Sequence, residues 1–347
     1  MNVTWDAKMS VHEMVNEGVR RAYLLPDNLL RASIVADPAF SRVNTRDNTP
    51  AVVHTEIVTG DTIDVQLSAK GGGSEDKAKF AMLNPSDSIV DWVLKTVPTM
   101  GAGWCPPGML GIGIGGSAEK AMLMAKESLM GDIDMAQLKA RGPQTKIEEL
   151  RIELHDKVNA LGIGAQGLGG LTTVLDVKIL DYPTHAVSKP IAMIPNCAAT
   201  RHAHFTLDGS GVAKLPIPKL TDWPKVTWHP DRNAKRVNLD SLTREEVAAW
   251  KAGDRLLLTG KLLTGRDAAH KRIADLFAKG EPLPAGVDFT NRVIYYVGPV
   301  SPVRDEVVGP AGPTTATRMD KFTEMMLSKT GLIAMIGKAE RGPTGVE

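Results

Sequence analysis

Cys105 and Cys197 are the only thiols in this 347-residue chain, and neither belongs to a Cys-x-x-Cys pair. That spacing disfavours a zinc ribbon or a redox dithiol. Cys105 lies in Gly103-Trp104-Cys105-Pro106-Pro107-Gly108. Proline after cysteine removes a backbone donor and forces an extended turn, a setting in which surrounding amides can point at an iron–sulfur cluster. A buried free thiol, a common fate of cysteine, would fit the same stretch. Cys197 follows Asn196, with Arg201, His202 and His204 just behind it. A metal site built from Cys197, His202 and His204 is a weak reading, because residues two apart share a face on a strand and not on a helix.

Three glycine-rich stretches raise the question of an anion. "GIGIGGSAEK" could offer helix N-terminal amides, and "GIGAQGLGG" and "KGGGS" could act as backbone nests. None carries the P-loop lysine, and "GIGIGG" only loosely matches a dinucleotide fingerprint. Close chain packing explains any one loop, whereas several together point to a small, non-phosphate anion cradled by backbone. Three cations sit at the ends of elements flanked by glycine: Arg266 in "TGRDAAHK", Arg318 in "GPTTATRMD" and Lys338 in "GKAERG". Arginine forks bind carboxylates bidentately and lysine adds a point charge, so the trio suits a dicarboxylate. Each cation alone reads equally well as a solvated surface charge or a helix cap.

The elements that must position these residues follow from periodicity. Val11 to Tyr23 reads as a helix. Val53, Thr55 and Ile57, then Ile63, Val65 and Leu67, alternate with polar neighbours around Gly60-Asp61 and read as a hairpin. Asp87 to Val97 reads as a helix stopped by Pro98. "GIGIGGSAEKAMLMAKESL" reads as strand, turn and helix, with Ala118, Ala121, Ala125 and Leu129 on the buried face. Ile147, Leu150, Leu154, Val158 and Leu161 mark another helix. Residues 216–240 are proline-rich without apolar periodicity and read as a linker. Beyond it, Thr243-Arg-Glu-Glu246 has the capping-box form, "RLLLTGKLLTG" a strand or hairpin, Arg266–Lys279 a helix, and "RVIYYVGPV" and "LIAMIG" strands. Met319, Phe322 and Met326 share one face of a further helix. The fold class is α/β: an α+β domain over 1–215, a linker over 216–240, and an α/β domain over 241–347.

Composition excludes several classes. The chain is 43% hydrophobic and 23% charged, ordinary for a soluble globular protein, and its formal net charge of +1 offers no bulk footprint for nucleic acid. No apolar run is long enough to span a bilayer, and the first residues lack a signal-peptide pattern. Two thiols without an export signal point to a reducing cytoplasm.

Taken together, "AKGGGS", "WCPPGMLGIGIGGSAEKA", "LGIGAQGLGG", "PTHAVSKPIAMIPNCAATRH", "LTGRDAAHKRI", "YYVGP" and "GPTTATRMD" resemble the class I, iron–sulfur-dependent fumarate hydratases over nearly the whole chain. Tartrate dehydratase is a close relative, often with the two regions on separate chains; their fusion here favours fumarase. The resemblance implies a 4Fe–4S cluster on three cysteines, its open iron a Lewis acid toward substrate, and a cluster that performs no redox step. Cys105 and Cys197 match two of those ligands. Thr314 matches the base that takes the C3 proton, and Arg266, Arg318, Lys338 and Arg31 match carboxylate binders. Gly73 matches a backbone contact and His185 a substrate-side histidine; Thr315 is a less certain match. The second region would swing its cations onto the substrate.

One departure bears on activity. The family's first cluster cysteine lies in Cys-Gln-Asp-Thr-Gly, whose aspartate serves as general acid, and this sequence has no such stretch. The chain is therefore expected to be an internal piece of a fumarase, truncated at both ends and inactive alone. A noncatalytic remnant that binds dicarboxylate or a partner chain is the alternative from another class. The resemblance further implies a homodimer in the tricarboxylic acid cycle.

Overall fold

The computed structural model describes residues 8–28, 30–199, 201–215, 231–299 and 311–346, with isolated positions between the later stretches. The chain divides into two compact units, residues 1–61 with 299–311, and residues 62–298 with 312–347.

In the first unit, helix α1 (Val11–Leu24) starts where its sequence says it should. The Ser10 side chain accepts from the Glu13 amide and the Glu13 carboxylate accepts from the Ser10 amide, a reciprocal cap. Strands β1 (Val35–Ala36) and β2 (Val43–Asn44) pair antiparallel. Arg31 belongs to this unit; it is exposed, and its carbonyl accepts from Ser33 Oγ at 3.2 Å.

The second unit opens with β3 (Ile63–Ser68), the short helix α2 (Gly72–Glu75), β4 (Lys79–Leu83) and α3 (Ile89–Thr99). There follow β5 (Gly108–Gly115), α4 (Ala118–Ser128), α5 (Met135–Arg141), α6 (Lys146–Ala160), β6 (Val174–Tyr182), β7 (Lys189–Cys197) and β8 (His202–Leu207). Strands β4, β7, β5 and β6 form one sheet in that order. Strand β7 shows why it is central. Ile191 and Met193 join the core built with Val93, Val97, Leu154 and Val158, while Ala192 and Ile194 pack with Ala121, Ala125 and Leu129 of α4 and the turn after it. Both faces are covered, so the strand is almost continuously apolar.

The predicted hairpin at Gly60-Asp61 does not form. Strand β3 pairs with β8, Ile63 opposite Leu207 and Ser68 opposite His202, and the proposed turn coincides with the boundary between the two units. Alternation located the strand but neither named its partner nor gave a buried face, since Ile63 and Leu67 are exposed and only Val65 is half-buried. Helix α3 also runs one residue beyond Pro98, which sits in its last turn. Leu161, expected on the buried face of α6, is 39% exposed.

The later part adds β9 (Lys235–Asn238), α7 (Arg244–Ala248), β10 (Leu256–Thr259), β11 (Leu263–Thr264), α8 (Asp267–Ala278), β12 (Val293–Tyr295), α9 (Thr323–Lys329), β13 (Ala334–Ile336) and α10 (Pro343–Val346). Strand β9 corrects the linker reading at its end: Lys235–Asn238 runs parallel to β10. Most of the expected linker before residue 231 lies outside the described residues. "RLLLTGKLLTG" is not a hairpin, since β10 pairs with β9 and β11 with β12. Strands β11, β12 and β13 form a parallel sheet, and Met319, Phe322 and Met326 pack with Ile294 and Tyr296 as one core. No described helix is long and apolar enough to cross a membrane.

The glycines of β5 have a packing cause. A Cβ on Gly113 would lie 2.0 Å from the Ala121 carbonyl oxygen, so α4 rides directly on the strand backbone. Gly113→Ala should lower stability by about 1–3 kcal/mol through overpacking, read as a lower midpoint in urea unfolding with Gly312→Ala, where nothing lies within 4 Å, as a comparison for glycine replacement without a packing clash.

Candidate active site

Cys105 occupies a backbone conformation the sequence did not announce. Its φ is +62°, in the left-handed region that residues with a Cβ avoid, and not the extended turn expected before proline. The Pro106–Pro107 peptide that follows is cis. Two glycine loops hold this turn. The Gln166 amide donates to the Pro106 carbonyl at 2.6 Å, tying the turn to "GIGAQGLGG". A Cβ on Gly73 would lie 3.2 Å from the Gly103 carbonyl oxygen, so "KGGGS" sits against its other side. Cys197 ends β7 opposite Gly108, the first residue of β5. The two cysteines therefore lie at the same end of the sheet.

The third glycine loop does not join them. Gly115 ends β5 opposite Tyr182, and Thr184 Oγ1 donates to the Gly116 carbonyl at 2.9 Å. "GIGIGG" thus turns at the far end of the strand; Gly111 and Gly113 admit α4 and Gly115 abuts the Tyr182 carbonyl, so packing explains these glycines without a phosphate. His185 lies at that end too, exposed, in the turn between β6 and β7. Strand β7 has nine residues, so at about 3.3 Å per residue roughly 26 Å separates its two ends. Within this chain His185 and Cys197 are not brought together.

The cations converge for a topological reason. Arg266 follows β11, Gly298 follows β12 and Lys338 follows β13, so all three lie beyond the carboxyl ends of parallel strands, where open α/β sheets bind ligands. A Cβ on Gly298 would lie 3.5 Å from Arg266 Nε, an ordinary contact, so the guanidinium lies over this glycine. Thr314 is drawn to the same edge, its amide donating to the Tyr296 carbonyl at 2.7 Å. Thr315 and Lys338 form a parallel bridge. Arg318 grips Asp267 through Nε and Nη2, each at 3.2 Å, and its Nη1 donates to Thr314 Oγ1 at 3.4 Å.

Lys338 joins this edge to the thiol turn. Its Nζ donates to Cys105 Sγ at 2.6 Å, and the residue is only 8% exposed. No carboxylate among the described residues pairs with it. A buried ammonium is costly unless paired, and an anion beside it would offset that cost. Sequence reasoning found Lys338 and Cys105 separately and missed their contact.

Two further residues went unnoticed. Lys70 donates to Ser74 Oγ at 2.9 Å and pairs with Glu75 at 3.0 Å, beside Cys197. Burial pushes the Lys70 ammonium down, while Glu75, which burial alone would raise, is held below the usual carboxylate range by Lys126 and Lys70. The lysine of "AKGGGS" carried that signal. His270, fully buried, faces the Arg266 carbonyl through Nδ1 at 3.0 Å and stands edge-on to Tyr296. Only a protonated Nδ1 can donate to that carbonyl, and Nε2 has no partner among the described residues.

A buried lysine against a thiol and a buried threonine thus lie at the carboxyl edge of a parallel sheet. The chain matches the family described as fumarate hydratase (Fumerase) over residues 1–206 and that described as fumarase C-terminus over residues 209–347; it belongs to the fumarate hydratase family, whose members are hydro-lyases. It is 31% identical to fumarate hydratase 2 of Leishmania major, over 94% of this chain and 59% of that protein. It is 30% identical to the anaerobic class I fumarate hydratase of Escherichia coli strain K12, over 95% of this chain and 62% of that protein. A putative L(+)-tartrate dehydratase subunit alpha of Methanocaldococcus jannaschii is 35% identical over 208 residues, 58% of this chain and 70% of that protein. The chain thus spans about three-fifths of the length of those two fumarate hydratases.

Burial holds His270 below the usual imidazole range, so it stays neutral when folded, whereas the unfolded chain protonates near pH 6.5. The stability this imidazole contributes is complete above that pH and is lost as the pH falls through it. Urea unfolding at pH 7.5 and 5.5 should show the drop, and His270→Phe should make it smaller.

Proposed function

We propose that this chain carries the dicarboxylate-binding part of a class I-type fumarate hydratase site, for the reversible addition of water to fumarate giving (S)-malate. The reading rests above all on Lys338, a buried ammonium that meets a thiol and no carboxylate. Lys338, Arg266 and Arg318 are the cations for the substrate's two carboxylates, and the backbone at Gly73 adds a contact at the thiol turn. Arg31 is a further candidate by resemblance. Thr314 is the candidate base for the C3 proton. A threonine hydroxyl is a poor base unaided; a guanidinium donating to Oγ1 stabilises charge on that oxygen. Arg318 thus serves two ends, a carboxylate and the base. His185 enters this reading only by resemblance, as does a homodimer in the cytoplasm.

Cys105 and Cys197 are our candidates for two ligands of a 4Fe–4S cluster. Their placement at one sheet end suits that role, but the residues present do not complete it. The sequence holds two cysteines, and among the described residues no group of three His, Cys, Asp or Glu side chains could hold a metal. No step of the reaction is assigned to the cluster on this chain. Tartrate dehydration is the second reading, favoured by the 35% identity to a tartrate dehydratase subunit over the first region. The match of residues 209–347 to the fumarase C-terminus favours fumarate.

Calorimetric titration of the purified chain tests the reading. Malate and fumarate should bind, crotonate with its single carboxylate should bind far more weakly, and Arg318→Met should weaken malate by about tenfold. Equal binding of crotonate and fumarate, or no binding of any dicarboxylate, would refute it. Tighter binding of tartrate than malate would favour the second reading.

A further inference from the structure

Asp320 has no part in the site as described, yet it is buried, at 8% exposure, two residues beyond Arg318. It lies in the 3-10 helix Thr317–Phe322. Its Oδ1 accepts from Arg341 Nη1 at 2.7 Å and its Oδ2 from the Gly342 amide at 2.6 Å. Arg341 and Gly342 belong to the loop that begins with Lys338. A second grip on this loop comes from Thr317 Oγ1, which donates to the Glu340 carbonyl at 2.6 Å. A third is the backbone: Lys338 N donates to Thr314 O at 3.2 Å and Ala316 N to Lys338 O at 2.8 Å.

The loop turns sharply where Lys338 leaves it. Ala339 has φ +61°, a conformation with a cost for a residue bearing a Cβ. Such a turn persists when the surroundings hold it, and the Asp320 bonds fall two and three residues later. Space around the carboxylate is closed, because a Cβ on Gly345 would lie 2.7 Å from Asp320 Oδ1. Arg341 is further fixed by Thr323 Oγ1, which accepts from Nη1 at 3.1 Å, and by the Tyr296 ring, 5.5 Å away. The clamp therefore joins the segment bearing Thr314 and Arg318 to the loop bearing Lys338.

We propose that Asp320 is a positioning residue: through Arg341 and the Gly342 amide it fixes the Lys338 loop against the Thr314–Arg318 segment, and so sets where the Lys338 ammonium meets a substrate carboxylate at the Cys105 turn. This rests on the dicarboxylate reading for its ligand, but not for its geometry. The chemistry of the clamp is a bidentate anion, one oxygen for a guanidinium and one for a backbone amide. Asparagine at 320 keeps the shape and one acceptor but loses the charge and one of the two acceptors.

The test is a double-mutant cycle on malate affinity by calorimetry with wild type, Asp320→Asn, Lys338→Met and the double variant. Asp320→Asn should weaken malate about fivefold in the presence of Lys338 and not at all in its absence. A residue that merely stabilises the fold would weaken binding equally in both backgrounds, and that result would overturn the proposal. Acetylation of the free chain with an amine-selective reagent, read by mass spectrometry, is the second arm. Lys338 should be protected in wild type and exposed in Asp320→Asn; unchanged protection would overturn the proposal. If wild type binds no malate, the dicarboxylate reading fails, and the acetylation arm still decides whether Asp320 positions Lys338. If Asp320→Asn does not fold, Arg341→Met breaks the same clamp and takes its place in both arms.

Discussion

The contact of Lys338 Nζ with Cys105 Sγ joins residues 233 positions apart. Everything else in the candidate site has to be arranged so that this contact can exist. On one side, the Cys105 turn must project from the start of β5, and it does so in a left-handed conformation held by Gln166 and packed against the "KGGGS" stretch. On the other, Lys338 must leave β13 at its carboxyl end and turn at once, which Ala339 does with positive φ. A buried ammonium with a thiol for a neighbour and no carboxylate is electrostatically incomplete. Under the proposed function an anionic ligand resolves that, with Arg266 and Arg318 at the same edge for a second carboxylate.

The two sheets contribute differently. The four-stranded sheet is mixed, with β7 antiparallel to both neighbours, and it brings Cys105 and Cys197 together because β5 starts where β7 ends. The three-stranded sheet is parallel, so its strands all finish on one edge and deliver Arg266, Thr314 and Lys338 there without any sequence proximity. Small residues permit the assembly. Gly111 and Gly113 let α4 lie on β5, where a Cβ would meet the Ala125 and Ala121 carbonyls.

Local pattern made much of this legible. The cap at Thr243, the apolar face of Met319, Phe322 and Met326, and the cations at element ends all follow from spacing of a few residues, which is the range over which periodicity and capping act. Pairing acts over longer range, and there the reading failed. Strand β3 alternates as expected but pairs with a strand about 140 residues away, since alternation fixes a face and leaves the partner open. "GIGIGG" reads as an anion loop because glycine admits both backbone approach to a ligand and close packing; the Ala125, Ala121 and Tyr182 carbonyls over Gly111, Gly113 and Gly115 separate the two. The Lys338–Cys105 contact had no local signal at all.

The most direct measurement is a cross-link. A short amine-to-thiol reagent applied to the native chain, followed by peptide mass spectrometry, reads which lysine stands at Cys105. The account predicts a Cys105–Lys338 linked peptide as the main product from Cys105, absent in Lys338→Met. Lys77 offers a fair competitor, because its side chain lies beside Gly103. Cys105 linked to Lys77 alone, with Lys338 unmodified, would contradict the convergence on which the site depends.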